Sequence, residues 1–161
     1  MATFTREGYG VVEPNHLSAS YTGQVFAQLP AAASIDVLEN GMFIKYDYAK
    51  GEVNFDGDGE FMLVFNEEKL YDERKQAHKD FAMLRSDAYN GVMVPRVFKT
   101  NVGDIMTTNM VALDAEYAEG DKLTPGADGV LAAGEGDMVW QVAKVYTMPD
   151  GQPGLKLQRI L

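Results

Sequence analysis

Turn chemistry punctuates this chain after Pro95 with a regularity that leaves room for short strands and little else. Gly103-Asp104, Gly120-Asp121 and Gly136-Asp137 recur at spacings of 17 and 16 residues, and Asp128-Gly129 and Asp150-Gly151 add further breaks. Strands separated by such turns indicate a small β-barrel or sandwich over residues 95–161. Its final hairpin is the plainest part. Val139 to Tyr146 leads into a Pro- and Gly-rich turn over 148–154, and Leu155 and Leu157 then alternate with Lys156 and Gln158, the pattern of one buried and one wetted face.

Residues 35–94 form a second region of β-hairpins with a charged insert. Asn40-Gly41 lies between Ile35-Asp36-Val37-Leu38 and Met42-Phe43-Ile44-Lys45-Tyr46, and Asn-Gly between apolar runs predicts a type I′ hairpin, whose central residues both need positive φ. Asp56-Gly57-Asp58-Gly59 predicts a further turn, and Phe61-Met62-Leu63-Val64-Phe65 reads as a strand buried on both faces. Over 67–90, Leu70, Ala77, Phe81, Leu84 and Ala88 share a helical face, with acids early and bases late, Asn66 placed to cap the start and Asn90-Gly91 the end. A solvated loop has the same charge density, so the segment is helical or loop.

The first 34 residues read as an extended N-terminal arm. They carry three charges, Arg6, Glu7 and Glu13, and neither strand nor helix periodicity persists. Too apolar for a free linker and too irregular for a helix, such a segment lies along its own domain or along a neighbouring copy. Tyr9, Val11, Val12, His16, Leu17, Tyr21, Val25 and Phe26 are its candidate contact residues.

Composition narrows the function classes. The 161 residues suffice for one ordinary domain or two very small ones. A formal charge of -10 is repelled by phosphate backbones and anionic lipid, which argues against nucleic acid and membrane as partners. No apolar run approaches the ~18 residues of a membrane span, and the low-charge stretch before Ile35 lacks a continuous apolar h-region, so the chain reads as soluble and unexported. With no cysteine, disulfides and thiolate chemistry are absent, and packing, hydrogen bonding or oligomerisation must hold the protein together.

Catalytic groups are sparse. His16 sits in the arm and His78 on the charged segment, and no HExxH, Gly-x-Ser-x-Gly, P-loop or dinucleotide fingerprint occurs. Asp56, Asp58 and Glu60 cluster as hard-cation ligands do, yet without EF-hand spacing, and a solvated turn is the better reading. Trp140 and the tyrosines suit a sugar groove if exposed and a core if buried. The expectation is a protein that is not an enzyme, with no catalytic, cofactor or metal site.

Four strings carry a family likeness: Met42 to Tyr48, Lys69 to Arg74, Val94-Pro95-Arg96-Val97-Phe98-Lys99-Thr100-Asn101-Val102-Gly103-Asp104, and Tyr146 to Pro153. With them the chain resembles tailed-bacteriophage virion structural proteins, of the kind that phages of Gram-positive bacteria make alongside the major capsid protein. The last third, with Thr107-Thr108-Asn109 after Gly103-Asp104 and then Gly120 to Pro125, is similar to the β-barrel of head decoration (cement) proteins. The resemblance implies a protein that clips onto the outside of an assembled capsid and braces it. Its partners would be the major capsid protein and neighbouring copies of itself, as a homo-oligomer such as a trimer, with the arm residues named above as contacts. Synthesis in the host cytoplasm and residence on the virion surface follow. The longer arm and the charged middle segment depart from the smallest members of that group. The alternative is a non-catalytic module that binds carbohydrate or another small ligand.

Overall fold

The computed structural model describes residues 3–19, 29–66 and 82–161, and these are mainly β. In chain order the strands are β1 (Val12–His16), β2 (Val37–Glu39), β3 (Phe43–Asp47), β4 (Glu52–Asn54), β5 (Met62–Val64), β6 (Ala82–Leu84), β7 (Val97–Phe98), β8 (Ile105–Thr108), β9 (Lys122–Pro125), β10 (Leu131–Ala133), β11 (Trp140–Thr147) and β12 (Pro153–Arg159). Among the described residues they assemble into a six-stranded sheet, β1-β8-β12-β11-β9-β10, a four-stranded sheet, β4-β3-β5-β7, and a separate pair, β2-β6. The Gly-Asp turns do what their spacing predicts: Gly103 and Gly120, both at positive φ, deliver the chain into β8 and β9, and Gly136-Asp137 precedes β11.

The terminal hairpin forms as expected, with β11 and β12 antiparallel from Trp140↔Arg159 to Thr147↔Pro153 and a bulge between Val142 and Lys144. Leu155 and Leu157 are buried while Gln158 is exposed. The expected barrel does not close. Beyond β8 the chain meets β10 only through a parallel bridge between Val111 and Leu131 and the Ala112 amide on the Leu131 carbonyl, too little contact for a ladder.

Two apolar cores share one ladder. Phe43 and Leu63, opposite each other on β3 and β5, belong to the core beneath the six-stranded sheet, with Phe4, Leu17, Trp140 and Leu157. Their chain neighbours Ile44, Met62 and Val64 face the other way, into a second core with Ala31, Leu38, Val53, Met93 and Val97. The run from Phe61 to Phe65 thus provides the doubly buried strand its composition predicts. Each fully buried aliphatic side chain contributes roughly 1.5–3 kcal/mol. A backbone bond from the Phe43 amide to the Gly129 carbonyl, 2.8 Å, ties this ladder to the turn between β9 and β10.

Asn40-Gly41 makes a turn but no hairpin. Gly41 has φ +93° while Asn40 is not in the positive-φ region, and the Met42 amide bonds to the Glu39 carbonyl at 3.2 Å. Positive φ at the second central residue alone is the requirement of a type II turn, which splays its flanking strands. The chain accordingly sends β2 to β6 and β3 to β4 and β5. The side-chain Oδ1 of fully buried Asn40 accepts the Asn66 backbone amide at 2.7 Å, and Asn66 Oδ1 in turn accepts the Arg96 backbone amide at 3.1 Å. Asn66 is therefore a bridge to the segment before β7.

Of the helical expectation over 67–90, residues 67–81 lie outside the described residues, and 82–90 are not α-helical. Ala82–Leu84 pair with β2, and single 3-10 turns follow at Arg85–Asp87 and Tyr89–Gly91. Strand pairing outweighs the weak local preference of Ala-Met-Leu, and Ala88, extended at φ -76° and ψ 138°, separates the two turns.

The described parts of the arm are built into the chain's own sheets. Phe4 is buried edge-on to Tyr117, ring centroids 5.2 Å apart, and β1 pairs antiparallel with β8. The Val11 amide donates to buried Asn109 at 2.8 Å, and the Ser18 amide and hydroxyl both donate to the buried Asp104 carboxylate, at 3.1 and 2.9 Å. Residues 20–28 lie outside the described residues.

Gly41 and Gly103 separate backbone strain from steric clash. Both have positive φ, but a Cβ at Gly41 would meet Met110 Cβ at 2.7 Å, whereas one at Gly103 meets nothing within 4 Å. Gly103→Ala should therefore cost about 1–2 kcal/mol from the left-handed backbone alone. Gly41→Ala should cost more by at least ~1 kcal/mol from overpacking. Urea denaturation of the two variants measures the difference, and equal costs would contradict the packing around Gly41.

Candidate functional site

The second Asn-Gly of the sequence supplies the geometry the first does not. Asn90 (φ 54°, ψ 24°) and Gly91 (φ 68°) are both left-handed, and the Val92 amide bonds to the Tyr89 carbonyl at 3.2 Å. Positive φ at both central residues defines a type I′ turn. No strands flank it; it works as a corner that sets Tyr89 and Val92, its first and fourth residues, side by side. Val92 then begins an extended stretch in which Met93 points inward, while Val92 and Val94 point to solvent at 53% and 38% exposure.

Arg85 fixes this corner. Its guanidinium donates to the carbonyls of Ile35 (2.9 Å from Nε, 2.7 Å from Nη2), Ala32 (2.6 Å) and Gly91 (2.6 Å). Its backbone amide donates to the Asp36 carbonyl at 2.9 Å. One side chain thereby ties the turn at 89–92 to the loop at 31–36, using the rigid donor fork that lysine lacks.

Between β6 and the stretch 87–94 lies an open groove of about 310 Å³, lined by Asp87 and by the apolar side chains of Ala82–Leu84, Ala88 and Val92–Val94. Tyr89, on the turn beside it, is 89% exposed. Scattered exposed apolar residues are ordinary, but several grouped around a groove form a surface suited to another molecule. The charges nearby are Asp87, exposed, and Asp36, 88% exposed and 3.9 Å from the Arg85 guanidinium, whose hydrogen bonds go to backbone carbonyls. Among the described residues β6 pairs only with β2, leaving one edge of that ladder without a strand.

Comparison with known proteins adds no relative. No protein-family model, curated protein or solved structure matches this chain. The candidate site therefore rests on its own geometry.

The contact residues expected in the arm are scattered in environment. Val11, Val12 and Leu17 are buried within the fold, Tyr9 is half-buried and His16 is exposed on β1. Tyr21, Val25 and Phe26 lie outside the described residues, as does His78. The β1 edge itself resists strand addition, because Pro14 at its centre has no N–H and the register breaks between Glu13 and His16.

Trp140 belongs to the core. It is fully buried, 5.9 Å from Phe43 between ring centroids, and its indole N–H has no hydrogen-bond partner among the described residues. Tyr117 is buried too, its hydroxyl donating to the Ala112 carbonyl at 3.0 Å, and burial pushes that phenol upward in pKa. Among the described residues no three His, Asp or Glu side chains are placed to hold a metal ion, and no helix is long and apolar enough to cross a membrane.

Tyr89, Val92 and Val94 were hidden in the sequence by their neighbour. Val92-Met93-Val94 is apolar at every position, so alternation carries no sign of which side is wet, and only the Asn90-Gly91 turn signal marks the place. Arg85→Lys should release the corner. A single ammonium replaces a fork bonded to several carbonyls, and we expect a loss of about 2 kcal/mol of stability. The Val92 amide should lose hydrogen-exchange protection well beyond that global loss; a variant with unchanged Val92 protection would show that Arg85 does not set the turn.

Proposed function

We propose that this chain is a non-catalytic attachment protein of a tailed-phage head, a decoration (cement) protein that binds the outside of the major capsid protein lattice and stabilises it. The observation that carries the reading is the groove lined by Val92 and Val94, with the exposed ring of Tyr89 on the adjoining turn: an apolar surface held by Arg85 on a rigid β scaffold, in a chain whose body is strongly acidic. The likeness of Val94 to Asp104 to virion proteins begins at the rim of that groove.

Magnitudes favour burial over charge as the source of attachment. Surface ion pairs contribute ~0–1 kcal/mol each and are screened by salt, whereas apolar burial contributes ~25 cal/mol per Å² and is not. A standard interface of roughly 1,600 Å² in total therefore holds without ion pairs. Repetition over a lattice, with each copy also touching neighbouring copies in a homo-oligomer, multiplies modest contacts into high avidity. The acidic surface serves solubility and steers the protein toward basic patches on the capsid.

The alternative, a non-catalytic module that binds carbohydrate or another small ligand, takes no support from Trp140, whose ring lies in the core.

The test mixes the purified chain with empty heads assembled from the major capsid protein made alongside it, followed by sedimentation. The full chain should stay with the heads through about 1 M salt, where the Debye length is only ~3 Å. Tyr89→Asp and Val92→Asp should each weaken binding by about tenfold or more, equivalent to ~1.4 kcal/mol. Val102→Asp, at an exposed apolar site before β8, should bind as the parent does. Absence of the full chain from the pellet, or its steady release between low and moderate salt, would overturn the proposal.

A further inference from the structure

A second concave surface lies on the four-stranded sheet, and its chemistry differs from that of the groove at Tyr89. Tyr48, in the turn after β3, is 74% exposed and packs at 5.5 Å between ring centroids against Tyr46, which is buried. Asp47 stiffens that turn by accepting the Lys50 amide at 3.1 Å and the Asn54 side-chain amide at 3.2 Å. The Lys50 amide first, aided by Asn54, holds the Asp47 carboxyl below the usual carboxylate range. Tyr48 is thus an exposed ring on a braced support.

Facing it across a floor of Gly59 and Met62 is an ion pair, Glu60 to Lys99 at 3.2 Å, with both side chains half exposed. The cleft between holds about 180 Å³. On the opposite face of the ladder, a separate hollow of about 70 Å³ that shares Gly59 and Glu60 is lined by Lys45, Phe61, Asp137, Met138 and Arg159, with Lys45 4.5 Å over the Phe61 ring. Residues 46–48, 59–62 and 99 come together only through the pairing of β3 with β5 and of β5 with β7.

We propose that this cleft binds a neutral saccharide, one pyranose ring lying with its C–H face on Tyr48 and its hydroxyls toward Glu60 and Lys99. An aromatic ring opposite polar groups matches a molecule that is apolar on one face and hydroxylated at its edge. The paired charges select against other ligands. An organic cation that favours the tyrosine face is repelled by Lys99, and an anion drawn to Lys99 meets Glu60 beside it. A hydroxyl accepts from one member of the pair and donates to the other, so a polyol satisfies both. Burial, with Tyr48 adding to it, pushes the Tyr46 phenol up to about 12.

The experiment is a nitrogen–proton correlation titration of the full chain with tetrasaccharides of glucose, galactose and N-acetylglucosamine, and with choline and glucuronate as charged probes. At least one tetrasaccharide should shift the amides of Tyr48, Gly59, Glu60 and Lys99, with dissociation constants on the order of millimolar for so open a cleft. Tyr48→Ala, a change at an exposed ring, should weaken that binding by about tenfold or more, and Tyr89→Ala should leave it unchanged. Shifts from none of the tetrasaccharides, shifts that survive Tyr48→Ala, or larger shifts at these residues from choline or glucuronate would overturn the proposal. Because Tyr89 and the capsid take no part, the outcome is separate from that of the head-binding test.

Discussion

The structure depends on a ladder of two residue pairs. Phe43 opposite Leu63, and Ile44 opposite Met62, alternate across β3 and β5 so that one pair closes the core under the six-stranded sheet and the other closes the core behind it. A strand wetted on one face stabilises a single layer; a strand buried on both couples two. The Phe43 amide adds a backbone bond to Gly129, where φ is +77° and a Cβ would sit 2.4 Å from the Phe43 carbonyl oxygen. Only glycine permits that approach, so the turn between β9 and β10 and the ladder are fitted to each other. Both candidate surfaces inherit their rigidity from this arrangement: Tyr46 and Tyr48 follow directly along β3, and Met93 anchors the groove at Tyr89 in the second core.

Buried polar side chains complete the connections that strands leave open. Asn40 and Asn66 carry the chain from the turn before β3 to the segment before β7, Asn109 receives Val11, and Asp104 holds Ser18. The Asn66 and Val11 amides would otherwise be buried unpaired, at a cost of ~1–3 kcal/mol each. Arg85 plays the same part at the edge of the second core, turning its charge inward onto carbonyls. Its one ion pair among the described residues, to the exposed Asp36 at 3.9 Å, leaves Asp87 as the acid lining the groove.

Much of the fold was legible because it rests on local chemistry. The Gly-Asp turns, the hairpin of β11 and β12, and the doubly buried run at Phe61 to Phe65 follow from patterns confined to a few residues. What escaped depends on partners distant in sequence. Asn-Gly at 40–41 and at 90–91 look alike, yet Asn40 is drawn into the core to meet Asn66 while Asn90 remains at the surface and takes the left-handed conformation. Ala82–Leu84 are extended because β2 lies beside them, a neighbour no helical periodicity reveals. The saccharide cleft joins residues near positions 46, 60 and 99, and no motif spans such separations. Trp140 could be placed in a strand from the sequence, but its burial against Phe43 required the packing of one sheet on another.

If the β3–β5 ladder makes the two cores one cooperative unit, they must open together. Native-state hydrogen exchange tests this most directly, by comparing the amides of Phe43 and Val64, bonded to the Gly129 and Met42 carbonyls at 2.8 Å each, with those of the central strand β12. The coupling predicts one opening free energy for all of them, lowered equally by Leu63→Ala. Exchange of Phe43 and Val64 through a markedly cheaper opening, with β12 still protected, would show two independent cores and contradict it.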